Sequence, residues 1–235
     1  MRLTVSNLSK AYGYFWALRN LDFQLFAGEC VALLDPNGAS KTTLLRLLAG
    51  LTYPTSGNIQ LDDATLSRTS ITLRSSIGFL APSEHLYDNL TVRENLDFFT
   101  ALYNKHAAGS AIAGALDAVG LQRWSAEYVS ALSSGMKCRL SIAKWQLLEP
   151  GLLLLDEPYG VLDGSGVDLL ETFLKAQCRK GGLVVIASHH VSRVLQLCDR
   201  ALILHHGKLT FDEPRQKPWD SFDRAFGEFL PHGGR

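Results

Sequence analysis

The stretch Asp35-Pro36-Asn37-Gly38-Ala39-Ser40-Lys41-Thr42-Thr43 nearly matches the phosphate-binding loop pattern G-x-x-x-x-G-K-[ST]. Lys41 and Thr42 occupy the positions that the pattern requires, whereas Asp35 and Ser40 replace its two glycines. In such a loop the lysine reaches the terminal phosphates and the threonine hydroxyl holds Mg²⁺. Taken alone, the stretch fits a nucleotide site and, equally well, an ordinary strand-to-helix turn that happens to contain Lys-Thr.

The flanks of this loop have the pattern of a strand and a helix. Cys30 to Leu34 is a short apolar run, typical of a strand that is buried on both faces. After the loop, leucines recur at helical spacing, and Gly50 is suited to end the helix. A strand, a tight loop and a helix in this order point backbone N–H groups and a helix N-terminus at phosphate.

Length and composition limit the classes of protein to which the chain can belong. Its 235 residues suit one large domain or two close-packed lobes, and a hydrophobic content of 46% suffices for a substantial core. The formal net charge is zero, which argues against a protein that holds nucleic acid by bulk charge. No apolar run approaches the roughly 20 residues that span a bilayer, and the N-terminus lacks the apolar region of a signal peptide. We therefore expect an intracellular protein without a membrane span of its own.

The cysteines give no sign of a disulfide framework. The chain has four of them, far apart in the sequence and without a C-x-x-C pair: Cys30, Cys138, Cys178 and Cys198. This spacing predicts small, buried, apolar side chains in a reducing compartment.

The patterning divides the single predicted domain into a core lobe, a helical lobe and a tail. Residues 1–84 and 150–210 form the core lobe, in which short strands alternate with turns and helices. Residues 85–149 are mostly helical and begin with a capping box at Thr91. Residues 211–235, rich in proline, glycine and charge, show no clear pattern. Repeated strand–helix–strand units predict an α/β fold with a mostly parallel sheet flanked by helices, an antiparallel β subdomain and a helical insertion.

The individual elements follow from apolar periodicity and turn residues. Strands are predicted at Leu3 to Asn7, Arg19 to Phe26, Cys30 to Leu34, Asn58 to Leu61, Ile77 to Leu80, Leu152 to Leu155, Leu183 to Ala187 and Ala201 to Leu204. After the capping box, further helices are predicted at Ala111 to Val119, Ser134 to Leu148, Asp168 to Ala176 and Val191 to Cys198.

Two further strands of the predicted parallel sheet end in polar residues. Asp156 and Glu157 follow the apolar run Leu152 to Leu155, and His189 follows Leu183 to Ala187. Because ligands bind at the carboxyl ends of such strands, we expect these residues at the same sheet edge as the loop. Asp156 can hold Mg²⁺ through water, Glu157 can act as a general base on an attacking water, and His189 can bond the terminal phosphate. Taken singly, they also fit a solvated acidic turn and a surface histidine.

A third candidate lies in the helical lobe. Ser133-Ser134-Gly135-Met136 precedes the last predicted helix of that lobe. Serine and glycine at a helix N-terminus leave N–H groups that can bind an anion. A simple helix cap is the alternative, and the residues alone favour it.

Taken together and in this order, these segments closely resemble the ATP-binding subunits of ABC transporters, over about residues 1 to 210. The resemblance matches residues 35–43 to the Walker A segment, Leu132 to Met136 to the signature, Leu152 to Glu157 to the Walker B strand, Gly160 to Asp163 to the D-loop and His189 to the switch histidine. It implies that Glu157 and His189 are catalytic and that Thr42 and Asp156 hold Mg²⁺. The ATP contacts that it implies, beginning with the aromatic ring that stacks on adenine, are Tyr12, Asn37, Gly38, Ala39, Ser40, Lys41, Thr42, Thr43, Ser133 and Gly135.

The resemblance also implies how such a subunit works. Two copies, or one copy and another ATP-binding subunit, clamp two ATP molecules between the Walker A segment of one and the signature of the other. Closure drives a separate transmembrane subunit, so the chain is expected on the cytoplasmic face of a membrane, without nucleic acid. The segments 86–96 and 156–163 look most like those of short exporter ATPases, such as the haem-exporter subunit of cytochrome c biogenesis and the drug or polysaccharide exporters.

The chain departs from the family at four positions. Asp35 and Ser40 replace the Walker A glycines, Ser83 stands about where a glutamine is expected, and Ser134 replaces one signature glycine. A carboxylate near a triphosphate repels it, and a Cβ at residue 40 obstructs close approach of the backbone to phosphate. We therefore expect weakened ATP binding and more strongly weakened hydrolysis.

Two functions remain open on this basis. The first is the ATPase of an export complex, favoured by intact Lys41, Glu157 and His189. The second is a catalytically weak subunit that serves as a structural or regulatory partner of an active ATPase, favoured by Asp35 and Ser40. An ABC-type protein of DNA repair or translation would need long coiled coils or a second cassette, which the sequence lacks.

Overall fold

The computed structural model describes residues 1–36, 39–67, 71–81, 86–105 and 107–214. Asn37, Gly38, Ser83 and residues 215–235 therefore lie outside the described part of the chain. The strands are β1 Arg2–Tyr12, β2 Phe15–Phe26, β3 Cys30–Leu34, β4 Ser56–Leu61, β5 Ala64–Thr65, β6 Ile77–Leu80, β7 Leu152–Asp156, β8 Leu183–Ala187, β9 Arg200–His205 and β10 Lys208–Pro214. The helices are α1 Ala39–Leu48, α2 Ile71–Ser75, α3 Val92–Leu102, α4 Gly109–Ala118, α5 Ser134–Leu148, α6 Gly164–Arg179 and α7 Val191–Leu197.

The larger sheet has the strand order β10-β9-β3-β8-β7-β6. Five of its strands are parallel, and β10 pairs antiparallel with β9 at one edge. The central strands β3, β7 and β8 are buried along their whole length, as expected for parallel strands that are covered on both faces. The predicted α/β fold with a mostly parallel sheet is confirmed.

A second, antiparallel sheet has the order β2-β1-β4-β5. Its strand β1 is longer than the predicted segment. The pairing of β1 with β2 shifts register between Val5 and Leu8. Such a bulge interrupts the two-residue alternation from which a strand is recognised, so the prediction stopped at Asn7. The strand continues to Tyr12, which pairs with Phe15 of β2.

Each face of the larger sheet has its own apolar cluster, because successive strand residues point to opposite sides. In β3, Val31 and Leu33 pack with α1 and the antiparallel sheet. Ala32 and Leu34 pack on the other side with residues of α3 to α7. The larger sheet thus lies between two apolar clusters, one on each face. The loop after β3 leaves the sheet between these clusters.

The segment between β6 and β7 contains the helices α3, α4 and α5, and two short 3₁₀ turns lie between α4 and α5. The predicted capping box is present: Thr91 Oγ1 accepts from the Glu94 N–H, and the Glu94 carboxylate accepts from the Thr91 N–H. Asn95 is fully buried; its Oδ1 accepts from the Tyr87 N–H at 2.9 Å, and its Nδ2 donates to the carbonyls of Tyr87, Leu90 and Thr91. One side chain therefore fixes the chain that leads into α3.

Two element boundaries differ from the predictions for identifiable reasons. Helix α6 begins at Gly164, not at 168, because the Asp163 carboxylate caps it by accepting from the Gly166 N–H at 2.7 Å. The tail was predicted to begin at residue 211 without a pattern, which is wrong for its first residues, since β10 runs to Pro214. That strand is held by Arg200, whose guanidinium bonds both carboxylate oxygens of Asp212 at 2.7 and 2.9 Å. None of the described helices has the length and apolarity that crossing a bilayer requires.

Candidate functional site

The carboxyl ends of β3, β8 and β7 meet at one sheet edge, because these strands are parallel neighbours. Lys41, in the first turn of α1, is buried there. Its Nζ lies 3.5 Å from the carbonyl oxygen of Asp35 and 3.8 Å from Glu157 Oε1. The loop lysine and the carboxylate after β7, predicted as parts of one site, are thus in contact.

Thr42 and Asp156 form a second contact between the loop and β7. Thr42 Oγ1 donates to Asp156 Oδ2 at 2.7 Å, whereas the buried Oδ1 of Asp156 has no hydrogen-bond partner among the described residues. Burial is the main cause that raises the pKa of Asp156, the charge of Glu157 adds to it, and the bond from Thr42 opposes it. A buried carboxylate oxygen without a donor, beside a threonine hydroxyl, is a donor set suited to Mg²⁺. These residues fit the predicted metal.

Glu157 and His189 form the third contact. Glu157 Oε2 lies 2.7 Å from His189 Nδ1 and accepts from the His189 N–H at 3.1 Å. The backbone of Glu157 has a φ of 48°, a left-handed conformation that is strained for a side chain of this type. The Glu157 N–H donates to the carbonyl of Ala187 at the end of β8, which holds it there. Strand β8 therefore orients the predicted base, and His189, mostly exposed, covers it.

The two residues that replace the loop glycines contact each other, which sequence reasoning missed. Both Asp35 and Ser40 are buried, at 9% and 4% exposure. Asp35 Oδ2 accepts from the Ser40 N–H at 3.3 Å and from the Ser40 hydroxyl in a short contact. Ser40 lies in the first turn of α1, so the carboxylate caps the helix N-terminus that a phosphate-binding loop offers to phosphate. The sequence did contain a signal for this contact. Both loop glycines are replaced, one by a hydrogen-bond acceptor, Asp35, and the other by a donor, Ser40.

The aromatic residues at the start of β2 line a cavity that sequence reasoning also missed. Tyr12, predicted to stack on adenine, is half exposed, and Lys10 Nζ lies 4.9 Å from its ring centre. A cavity of about 320 Å³ beside Asp35 and Ser40 is lined instead by Phe15, Trp16, Arg19 and His206. The run of aromatic residues from 12 to 16 was the available signal.

The remaining predicted residues have simpler surroundings. Ser133 caps α5 by accepting from the Met136 N–H at 3.3 Å, which is the cap that the sequence alone favoured. A Cβ at Gly135 would lie 3.0 Å from the carbonyl oxygen of Val161, so glycine permits this close approach. Ala39 begins α1 and Thr43 is buried within it. Asn37 and Gly38 lie outside the described residues.

Comparison with known proteins identifies the family. The model of the family described as "ABC transporter" matches residues 18–160. The chain belongs to the ABC transporter family, as an ATP-binding subunit. It is 41% identical over 177 residues to the cytochrome c biogenesis ATP-binding export protein CcmA of Pseudomonas putida, an alignment that covers 74% of this chain and 84% of that protein.

Other members of the ABC family are more distant in sequence and similar in fold. The sulfate/thiosulfate import ATP-binding protein CysA 2 of Chromobacterium violaceum is 36% identical over 209 residues, which cover 88% of this chain and 57% of that protein. A solved structure of an ATP-binding subunit of an ABC transporter aligns with a TM-score of 0.86 and 28% identity, over 97% of this chain and 94% of that one. The P-loop NTPase core expected of an ABC subunit is thus confirmed.

Proposed function

We propose that this ABC subunit binds and hydrolyses ATP with Mg²⁺ to power an export complex in a membrane. The observation that supports this most strongly is the contact of loop and strand-end residues at one sheet edge. Lys41 lies 3.8 Å from Glu157, and Thr42 donates to Asp156 at 2.7 Å. Lys41 supplies a cation for phosphate, Thr42 and Asp156 supply ligands for Mg²⁺, and Glu157 supplies a base. All of them lie at the same sheet edge.

The roles proposed for these residues follow from their chemistry. Lys41 binds the terminal phosphates through charge-assisted hydrogen bonds, while Thr42 and Asp156 hold the metal. Bound Mg²⁺ supplies positive charge that offsets the charge of the phosphates. Glu157 accepts a proton from the attacking water, and His189 holds the Glu157 carboxylate in place. Binding of ATP would draw Lys41 from Glu157, which frees the carboxylate to act as a base.

The partners are proposed from the family. Two copies, or this chain and another ATP-binding subunit, close on ATP with Ser133 and Gly135 of one facing the loop of the other. A separate transmembrane subunit binds the pair at the cytoplasmic face of a membrane. Export is favoured over import because the relative named for export is 41% identical, whereas that named for import is 36% identical. The proposed transmembrane partner is tested by purifying the tagged chain from the detergent-extracted membrane fraction. We expect a polytopic membrane protein to be recovered with it in equal amount.

We further propose that Asp35 and Ser40 weaken the binding of ATP. The Asp35 carboxylate takes the Ser40 N–H that phosphate would use, so phosphate must displace it and approach its charge. A cost of only about 1.4 kcal/mol is a tenfold loss of affinity. Titration with Mg-ATP should therefore show a dissociation constant at least about tenfold lower in Asp35→Gly plus Ser40→Gly than in the natural chain. Equal affinities would exclude this.

Measurement of Mg-ATP hydrolysis tests the function itself. The natural chain should turn over ATP, and Glu157→Gln should lower the turnover number by roughly 10²- to 10⁴-fold, as expected for loss of a general base. The matched control is Glu171→Gln, a partly exposed carboxylate paired with Arg193 at 3.3 Å, which should keep the natural rate. Equal rates in the natural chain and Glu157→Gln would contradict catalysis by this site.

A structural or regulatory partner of an active ATPase is the second candidate. It is favoured by the Asp35–Ser40 contact, in which the Ser40 N–H and hydroxyl already have a hydrogen-bond acceptor without a nucleotide. Under this function the chain alone shows no turnover that depends on Glu157, and it raises the activity of a second ATP-binding subunit when mixed with it. The Glu157→Gln comparison therefore separates the two functions.

A further inference from the structure

Three of the four cysteines meet at one place, although they are distant in the sequence. Cys30 begins β3, Cys178 lies near the end of α6, and Cys198 directly follows α7. The sulfurs of Cys30 and Cys198 are 3.4 Å apart. The thiol of Cys178 donates to the carbonyl of Glu29, the residue before Cys30, at 3.7 Å. Cys30 thus contacts the thiol of Cys198 and lines the same cavity as Cys178. The predicted burial is confirmed for Cys30, Cys138 and Cys198, whereas Cys178 is only partly buried. Cys138 lies apart from the other three, in α5.

The cluster is reached from a surface cavity. Cys178 is only partly buried, and together with Cys30 it lines a cavity of about 280 Å³. The charged residues around this cavity are Lys175, Arg179 and Asp199. Two cations and one anion favour a small anionic molecule over a cationic one.

The surroundings of the thiols limit their reactivity. A hydrogen bond with Cys30 and burial raise the pKa of Cys178. The bond from Cys178 lowers the pKa of Cys30, but the bond with Cys198 and burial outweigh it and raise that pKa well above its ordinary value. Since the thiolate is the nucleophile, both thiols react slowly and need a sustained excess of oxidant.

We propose that Cys178 and Cys30 form a redox modification site for small anionic disulfides of the glutathione type. The Cys178 sulfur attacks the disulfide, forms a bond to one glutathione sulfur and releases the other as a thiol. The Cys30 sulfur then attacks the Cys178 sulfur and releases the second thiol. Two cysteine thiols are oxidised and one disulfide is reduced to two thiols, with each cysteine proton passing to a leaving thiolate. The product is a Cys30–Cys178 disulfide that ties β3 to α6.

Incubation of the full chain with millimolar oxidised glutathione, followed by peptide mapping, tests this site. The expected product has a Cys30–Cys178 link, free Cys138 and Cys198, and a melting temperature raised on the order of 10 °C until a reductant is added. Cys178→Ser should slow the loss of thiols at least about tenfold. Cys30→Ser should stop at a glutathione adduct on Cys178.

Matched controls separate the site from general oxidation. Cys138→Ser should react as the natural chain does, and cystamine, a cationic disulfide, should react several-fold more slowly than oxidised glutathione. Cys178 is partly buried, so Cys178→Ala provides a second variant that is expected to fold. Oxidation of Cys178→Ser and Cys178→Ala at the natural rate, or a Cys30–Cys198 link in place of the expected one, would overturn the proposal. The outcome is independent of ATP binding, because none of these cysteines belongs to the nucleotide site.

Discussion

The ends of β3 and β7 lie at the same sheet edge, and each carries a buried aspartate. At the end of β3, the Asp35 carboxylate bonds the amide and hydroxyl of Ser40 within its own loop. At the end of β7, Asp156 has one oxygen bonded to Thr42 of another element and one without a donor among the described residues. The first arrangement is satisfied by the protein itself, whereas the second leaves a place for a cation.

This contrast shows that similar residues at one edge can have opposite consequences for a ligand. A carboxylate on a helix N-terminus gains from the helix dipole and competes with phosphate for it. A buried carboxylate with an open oxygen is costly until a cation binds, so its cost favours Mg²⁺. We therefore propose that the β7 end favours the binding of a ligand and that the β3 end opposes it.

Lys41 is the residue that both ends share, so its removal should have the largest effect. Lys41→Ala deletes the charge that faces the carbonyl of Asp35 and the carboxylate of Glu157. We expect Mg-ATP affinity to fall at least about a hundredfold, or about 2.8 kcal/mol, by titration calorimetry. Lys180→Ala, which removes a surface partner of Glu149, should leave affinity unchanged. A loss below about threefold would mean that Lys41 does not bind phosphate.

The β3 end should show strong internal coupling. We expect a double-mutant cycle of Asp35→Asn and Ser40→Ala to give about 1 to 2 kcal/mol in the free energy of unfolding, since the hydrogen bonds involve a charged acceptor. Urea denaturation of the nucleotide-free protein provides the measurement. The same cycle with Ser75→Ala, in α2, should give a value near zero. Additive effects of Asp35 and Ser40 would show that their contact stabilises nothing.

The β7 end should be destabilised by its own charge, with a smaller effect. Burial raises the pKa of Asp156, and such a carboxyl stabilises the fold below its ordinary value of 3.8 and loses that contribution as pH rises through the folded-state pKa. At neutral pH, without Mg²⁺, Asp156→Asn should therefore raise the melting temperature by about 2 to 4 °C, or about 1 kcal/mol.

Two comparisons check the origin of that gain. It should shrink as pH falls, because the natural Asp156 becomes neutral, and the exposed Asp97→Asn should show no comparable gain. A gain that persists unchanged at low pH would indicate an effect of packing and not of charge.

Apolar runs in the sequence identify most of the larger sheet. Cys30–Leu34, Ile77–Leu80 and Leu183–Ala187 have the predicted bounds, because parallel strands buried on both faces are continuous apolar segments. Strands with a bulge or an edge position were shortened or missed, as in β1 and β10. Their boundaries depend on pairing partners and on Arg200, which a local pattern does not contain.

The candidate site was predictable as a set of residues but not as a set of contacts. The order of segments indicated that Lys41, Thr42, Asp156 and Glu157 share an edge, since that follows from a parallel sheet. The Asp35–Ser40 contact does not follow from the family pattern, because that pattern relates each of the two positions to phosphate and not to the other. The cysteine cluster was missed for a related reason: sequence separation says nothing of distance across a sheet.

The buried amide of Asn95 makes the segment before α3 readable by hydrogen–deuterium exchange. The Tyr87 N–H belongs to no helix or strand, yet it is bonded to Asn95 Oδ1 at 2.9 Å. Its deuterium uptake requires that this bond open, so its rate reports how often the chain leading into α3 detaches from the helix. The exchange rate of this single backbone amide thus measures local opening at the start of the helical segment.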